Sequence, residues 1–147
     1  MDGYATHIEP LVKAALESKG DILELGCGDY STPILALIAK SRGCKLYVKA
    51  SDPVWASRYK DVENCEIEIV DWATWKVSGH YGLIFLDNEE HAPQRVYRMT
   101  WLLSFTDCLV MHDASQAVAT ADLFNVLSGK EYTYYDKHDP ATVTIKC

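Results

Sequence analysis

No stretch of this sequence approaches the roughly 20 apolar residues that a membrane span needs. The start, MDGYATHIEP, has neither the basic nor the apolar region of a secretory signal. A soluble chain with no membrane partner is expected. No Cys-x-x-Cys pair occurs either: the five cysteines, Cys27, Cys44, Cys65, Cys108 and Cys147, are odd in number and scattered, which predicts reduced thiols in a cytoplasmic protein. Basic clusters are missing as well. The fourteen Lys and Arg are spread along a chain of net charge −7, the nearest approach to a cluster being RGCK at 42–45. That leaves no electrostatic footprint for duplex nucleic acid and argues against DNA or RNA as substrate. With no repeat, low-complexity tract or linker, the 147 residues fit one domain, 1–147, large enough for a substantial core.

What is present is an apolar periodicity that switches repeatedly between 2 and 3.6. Residues 8–18 carry a helical face on Ile8, Leu11, Val12, Ala15 and Leu16, and a short strand follows at Ile22–Leu25. Ser31 or Thr32 is a good N-cap, with Pro33 in the first turn of a helix ending near Gly43. Then KLYVKAS reads as a strand, PVWASRYK as a short helix, CEIEIV and YGLIFLD as strands, PQRVYRMTWLLS as a helix, DCLVMHD as a strand and SQAVATADLFNVLS as a helix. EYTYYD and TVTIKC close the chain as a hairpin. Five strand-helix alternations predict an α/β fold: a mostly parallel sheet covered on both faces, three layers in all, with a C-terminal antiparallel hairpin at its edge.

In such a sheet ligands bind beyond the carboxyl ends of the strands, where the strand order reverses. The residues after each strand are Gly26-Cys27-Gly28-Asp29-Tyr30-Ser31, then Ser51-Asp52, Asp71-Trp72, Asp87-Asn88-Glu89-Glu90-His91, and His112-Asp113-Ala114. Five polar or acidic strand ends on one rim point to a site. Gly-x-Gly alone serves any tight strand-to-helix turn. Here Ser31 stands where the dinucleotide fingerprint has its third glycine, and no Lys follows the turn, which counts against a P-loop and a nicotinamide site. Glu24 is an acid inside the apolar strand, where it needs partners.

Together, LELGCGDYST, SDPVWASRYK, LIFLDNEEH and CLVMHDA resemble the class I (Rossmann-like) S-adenosylmethionine-dependent methyltransferases over most of the chain. The resemblance implies that Gly26 and Gly28 let the backbone approach the methionine part of the cofactor. Glu24 would orient that loop or meet the cofactor ammonium. Asp71 and Trp72 would sit by the adenine, unless Trp72 is simply a packed aromatic. The acid that usually ends the second strand and takes the ribose hydroxyls falls on Ala50; Asp52 substitutes for it, or affinity is reduced, or the cofactor differs.

For chemistry the candidates are His91 as base, with Asp87, Asp113 and the neighbouring His112. Asp87 and Asp113 stand where some O-methyltransferases of this type hold a divalent metal such as Mg²⁺, which would polarise an acceptor hydroxyl; alternatively both carboxylates cap the following helices. Without a metal, a bare pair needs one raised pKa or an extra cation. His7 is a lesser candidate, and His80 and His138 read as surface residues. The implied function is methylation of an oxygen on a small molecule or sugar. The alternatives are a non-catalytic S-adenosylmethionine or nucleoside-binding domain, or a nicotinamide-dependent oxidoreductase.

Overall fold

The structure is a computed structural model that describes residues 3–147. Strands β1 (Ile22–Leu25), β2 (Leu46–Ala50), β3 (Cys65–Ile69), β4 (Leu83–Leu86), β5 (Cys108–Met111), β6 (Glu131–Tyr135) and β7 (Thr142–Lys146) form one sheet. Their order is β3-β2-β1-β4-β5-β7-β6. β1 to β5 pair in parallel, while β7 runs antiparallel to both β5 and β6. The α/β sheet with its antiparallel C-terminal hairpin is the expected one.

The central strands β1 and β4 are buried at every position, which is why ILEL and LIFL read as near-continuous apolar runs rather than alternating ones. Successive side chains still point to opposite faces. Ile22 and Phe85 pack under α1 (Ile8–Glu17) and α2 (Thr32–Ser41), through Leu11, Ala15, Leu35 and Ala39. Leu23, Leu25, Ile84 and Leu86 meet the other layer: α4 (Ala92–Leu102), α5 (Ala114–Ala121) and α6 (Leu123–Val126). A four-residue α3 (Pro53–Ala56) follows β2. No helix among the described residues is long and apolar enough to cross a membrane.

One expectation fails. The helix expected over SQAVATADLFNVLS is broken at Asp122, whose φ of 51° is left-handed and separates α5 from α6. Between β3 and β4, read from the sequence as consecutive strands, there is no helix. Residues 70–82 turn instead on Asp71, whose carboxylate accepts from the Ala73 amide and whose carbonyl accepts from Thr74 and Trp75. The sheet face is covered there by a row of edge-to-face aromatics, Trp72, Trp75, Trp101 and Phe105, with centroids 5.8, 6.4 and 5.8 Å apart.

Candidate active site

The turn after β1 is built by Gly26 and Glu24. Gly26 has φ +90°, and a Cβ there would stand 2.4 Å from the Asp87 carbonyl oxygen and 2.9 Å from the Asn88 Cα. The ends of β1 and β4 approach so closely that only glycine fits. Gly28 has no such constraint: a Cβ would meet only Ser31 Oγ, at 3.3 Å. Glu24 is fully buried, and its two carboxylate oxygens accept from the Ser31 and Thr32 hydroxyls, the latter at 2.8 Å. Thr32 Oγ1 in turn accepts from the Gly28 amide at 3.0 Å. Of the two roles expected for Glu24, its contacts match the first: they hold the loop, and the side chain does not reach solvent. Burial pushes its pKa up to about 8 against the pull of the two hydroxyls. Ser31 occupies the N-cap position of α2, but its hydroxyl makes no capping bond.

A cavity of about 1020 Å³ opens over the carboxyl ends of β1, β2, β4 and β5, across the point where the strand order reverses between β1 and β4. Of the expected residues, Gly26, Gly28, Asp52, Asp87 and Asp113 line it, as does Ala50. Asp71, Trp72 and His91 do not. Asp71 is taken up by its own turn, and Trp72 packs against Trp75 with the Arg98 guanidinium 5.4 Å from its ring. His91 stands exposed at the N-cap of α4 without a capping bond. The lining also includes Asp29 and Glu89, which the sequence placed on the rim without a role, Trp55 and Arg95, to which it gave none, and His7, there only a lesser candidate.

Asp87 and Asp113 neither cap helices nor stand bare. Asp113, at a left-handed φ of 56°, makes no capping bond. Between the two lies the guanidinium of Arg95: Nη1 is 3.0 Å from Asp113 Oδ2 and 3.7 Å from Asp87 Oδ1, and it donates to the His112 carbonyl at 3.1 Å. Nη2 donates to the Asn88 carbonyl. Arg95 is thus the extra cation that a carboxylate pair requires, and the position expected for Mg²⁺ is served by a side chain.

Two imidazoles complete this end. Thr6 Oγ1 lies 2.8 Å from the Pro140 carbonyl, 3.1 Å from the Gly3 carbonyl and 2.9 Å from His112 Nε2, and its hydroxyl ties the three together at the base of the site. His112 Nδ1 then faces Asp87 Oδ1 at 3.2 Å. His7 lies with its ring 4.9 Å from Phe85 and 4.6 Å from His112. It is 3% exposed, and neither nitrogen meets a partner in hydrogen-bond geometry. Burial, then the neighbouring His112, brings its pKa down to about 4, although Asp87, the Tyr30 backbone and Asp113 oppose the shift. His7, Asp87 and His112 can each offer one ligand atom within 4.8 Å of the others. Two nitrogens and one oxygen beside a guanidinium do not fit the oxygen-rich Mg²⁺ site that the resemblance implied.

No family model matches the chain, and no curated protein sequence matches it significantly. Solved structures do. The N-methyltransferase NodS from Bradyrhizobium japonicum WM9, in complex with S-adenosyl-L-homocysteine, superposes with a TM-score of 0.64 at 16% identity, over 95% of this chain and 83% of that one. Cofactor-bound Rv0187 from MTB gives 0.71 at 16% identity, over 97% and 79%. The fold is that of the class I methyltransferases. The 23S rRNA methyltransferase ErmE shares it too, at 0.60 and 12% identity over 94% of this chain and 67% of that one, so the methyltransferase fold by itself does not name an acceptor.

Charge is more informative. Asp29, Asp52, Asp87, Glu89 and Asp113 line the cavity against one guanidinium, Arg95, whose terminal nitrogens are already engaged. On the β2 side the wall is Trp55, whose Nε1 donates to the Cys27 carbonyl at 2.8 Å and whose ring carries the Arg58 guanidinium at 4.0 Å. Arg58 and the Tyr59 hydroxyl both bind Asp29, at 3.0 and 2.8 Å.

Proposed function

We propose that the protein transfers a methyl group from S-adenosylmethionine to an oxygen of a small molecule or sugar. The observation that carries this reading is the acid-rich cavity at the switch point of a methyltransferase fold. Its carboxylates suit a ligand bearing an ammonium and a sulfonium, and they disfavour the diphosphate of a nicotinamide dinucleotide or a nucleic-acid backbone. Bound there, S-adenosylmethionine supplies an electrophilic methyl group on positively charged sulfur. The Gly26–Ser31 loop, held by Glu24, gives the backbone approach, and Gly28 keeps that approach open.

At the other end of the cavity, His112 is held between Thr6, at Nε2, and Asp87, at Nδ1, and the Asp87–His112 pair is the group that takes the proton of an acceptor hydroxyl. His7 is neutral at neutral pH and offers one ring nitrogen as a hydrogen-bond acceptor beside His112, which supports oxygen rather than a protonated amine as acceptor. Arg95 keeps Asp87 and Asp113 in place. All five cysteines are unpaired, in keeping with a reducing compartment and supporting the cytoplasm as the place of action.

Calorimetric titration with S-adenosylmethionine, S-adenosylhomocysteine and NAD tests the reading. The first two should bind and NAD should not; tight NAD binding with no response to either methionine derivative overturns it. Methyl transfer is then assayed on a panel of hydroxyl and amine acceptors. Cofactor binding with no transfer to any of them favours a non-catalytic binding domain.

A further inference from the structure

In open α/β sheets that bind nucleosides, an acid at the end of the second strand takes the ribose hydroxyls. Here that position is Ala50, which lines the cavity with no polar side chain. The hydroxyls of a bound nucleoside would therefore be desolvated without an acceptor, a loss that calls for a substitute. Three carboxylates at this end of the cavity come into question.

Asp29 is committed on both oxygens, Oδ1 to the Tyr59 hydroxyl and Oδ2 to Arg58. Asp52 caps α3, its Oδ1 accepting from the amides of Val54 and Trp55 at 2.8 and 3.1 Å, and its Oδ2, like Oε2 of Glu89, accepts from no group among the described residues. Glu89 differs from both in where it comes from and what aims it. It leaves the chain after β4, yet its Oε1 accepts from Ser51 Oγ, the residue next to Ala50, and from Trp72 Nε1 at 2.8 Å beyond β3. With β1 lying between β2 and β4, the side chain spans the mouth of the cavity and brings its carboxylate to the end of β2. Both donors use Oε1, and no hydrogen bond among the described residues uses Oε2.

We propose that Glu89 is the ribose-binding acid of this site: a carboxylate from the β4 side, aimed by Ser51 and Trp72, that replaces the one missing at Ala50. The assignment rests on the S-adenosylmethionine reading above. It also explains two otherwise idle polar groups, the Ser51 hydroxyl and the Trp72 indole N–H, as devices that orient one acid.

The test compares S-adenosylhomocysteine with its 2′,3′-dideoxy analogue in calorimetric titrations of wild type, Glu89→Gln, Ser51→Ala and Asp52→Asn. Glu89 is exposed, so Glu89→Gln should fold, and an unchanged thermal midpoint verifies it. Hydrogen bonds from hydroxyls to a carboxylate predict about a 10- to 100-fold loss of S-adenosylhomocysteine affinity in Glu89→Gln, with the affinity for the dideoxy analogue unchanged. Ser51→Ala should show a smaller loss of the same hydroxyl-dependent kind. Equal affinity of Glu89→Gln and wild type for S-adenosylhomocysteine, an equal loss for both ligands, or a hydroxyl-dependent loss in Asp52→Asn alone overturns the assignment. Wild type that binds neither compound removes the cofactor reading and Glu89 with it.

Discussion

Glu24→Gln isolates the energetic weight of one buried carboxylate. Burial shifts Glu24 from its ordinary value of 4.5 to about 8, with the Ser31 and Thr32 hydroxyls pulling back and Asp87 adding to the rise. From pH 4.5 to 8 the folded protein therefore holds a proton that the unfolded chain has lost, and stability falls as pH rises through that window. At about 1.4 kcal/mol per pH unit, the whole window amounts to roughly 5 kcal/mol. His7 works in the opposite direction. Its value drops from 6.5 to about 4, so between those limits the unfolded chain holds the extra proton and stability rises with pH.

The two effects nearly cancel from pH 4.5 to 6.5 and leave Glu24 alone from 6.5 to 8. That leaves a loss of about 2 kcal/mol, or roughly 4 to 8 °C of thermal midpoint for a domain of this size. The assay is the thermal midpoint at closely spaced pH values in wild type and Glu24→Gln. Wild type should be level below pH 6.5, fall above it and level again beyond 8. The variant should lose the fall and expose the His7 rise below 6.5. A wild-type midpoint that stays constant from 6.5 to 8, or a fall that persists in Glu24→Gln, refutes the reasoning.

The two glycines of the β1 turn should separate fold from binding. Gly26→Ala places a Cβ on the Asp87 carbonyl at positive φ and should destabilise by at least about 2 kcal/mol in denaturant unfolding, whereas Gly28→Val should keep the fold and lose S-adenosylhomocysteine binding. Arg95→Met leaves Asp87 and Asp113 without their guanidinium and should destabilise by about 3–5 kcal/mol. Its thermal midpoint should respond to Mg²⁺, while wild type should be indifferent to chelator and to Mg²⁺, Mn²⁺ and Ca²⁺; a wild type that loses stability in chelator would instead give His7, Asp87 and His112 a metal.

Local physics made much of the fold legible. Ile22–Leu25 and Leu83–Leu86 are too short and too apolar to be anything but doubly covered strands, and the buried Glu24 had to find hydroxyls close by, which Ser31 and Thr32 supply. The rim residues Asp87 and Asp113 followed from the same strand ends. What stayed hidden depends on long-range placement. His7 meets His112 only when α1 packs beside β4 and β5. Arg95, near the start of a helix, gives no sign that it turns back between two carboxylates. Asp71 and Trp72 are absent from the cavity lining: a side chain satisfying its own turn, as Asp71 does, looks in sequence like one waiting for a ligand. His91 shares that ambiguity at the head of α4.

The seam between β1 and β4 also sets the order in which this chain can acquire its site. Ile22 pairs with Leu83 and Leu25 with Leu86, partners far apart in the chain, so the seam closes only after a large loss of chain freedom. Gly28, Asp52 and Trp55 stand on the early side of it, and Asp87, Glu89 and His112 on the late side. The cavity at the switch point takes its lining from both sides. Ligand binding during refolding should therefore lag behind helix formation and report the moment at which the two halves of the sheet join, so the site doubles as a clock for that long-range step.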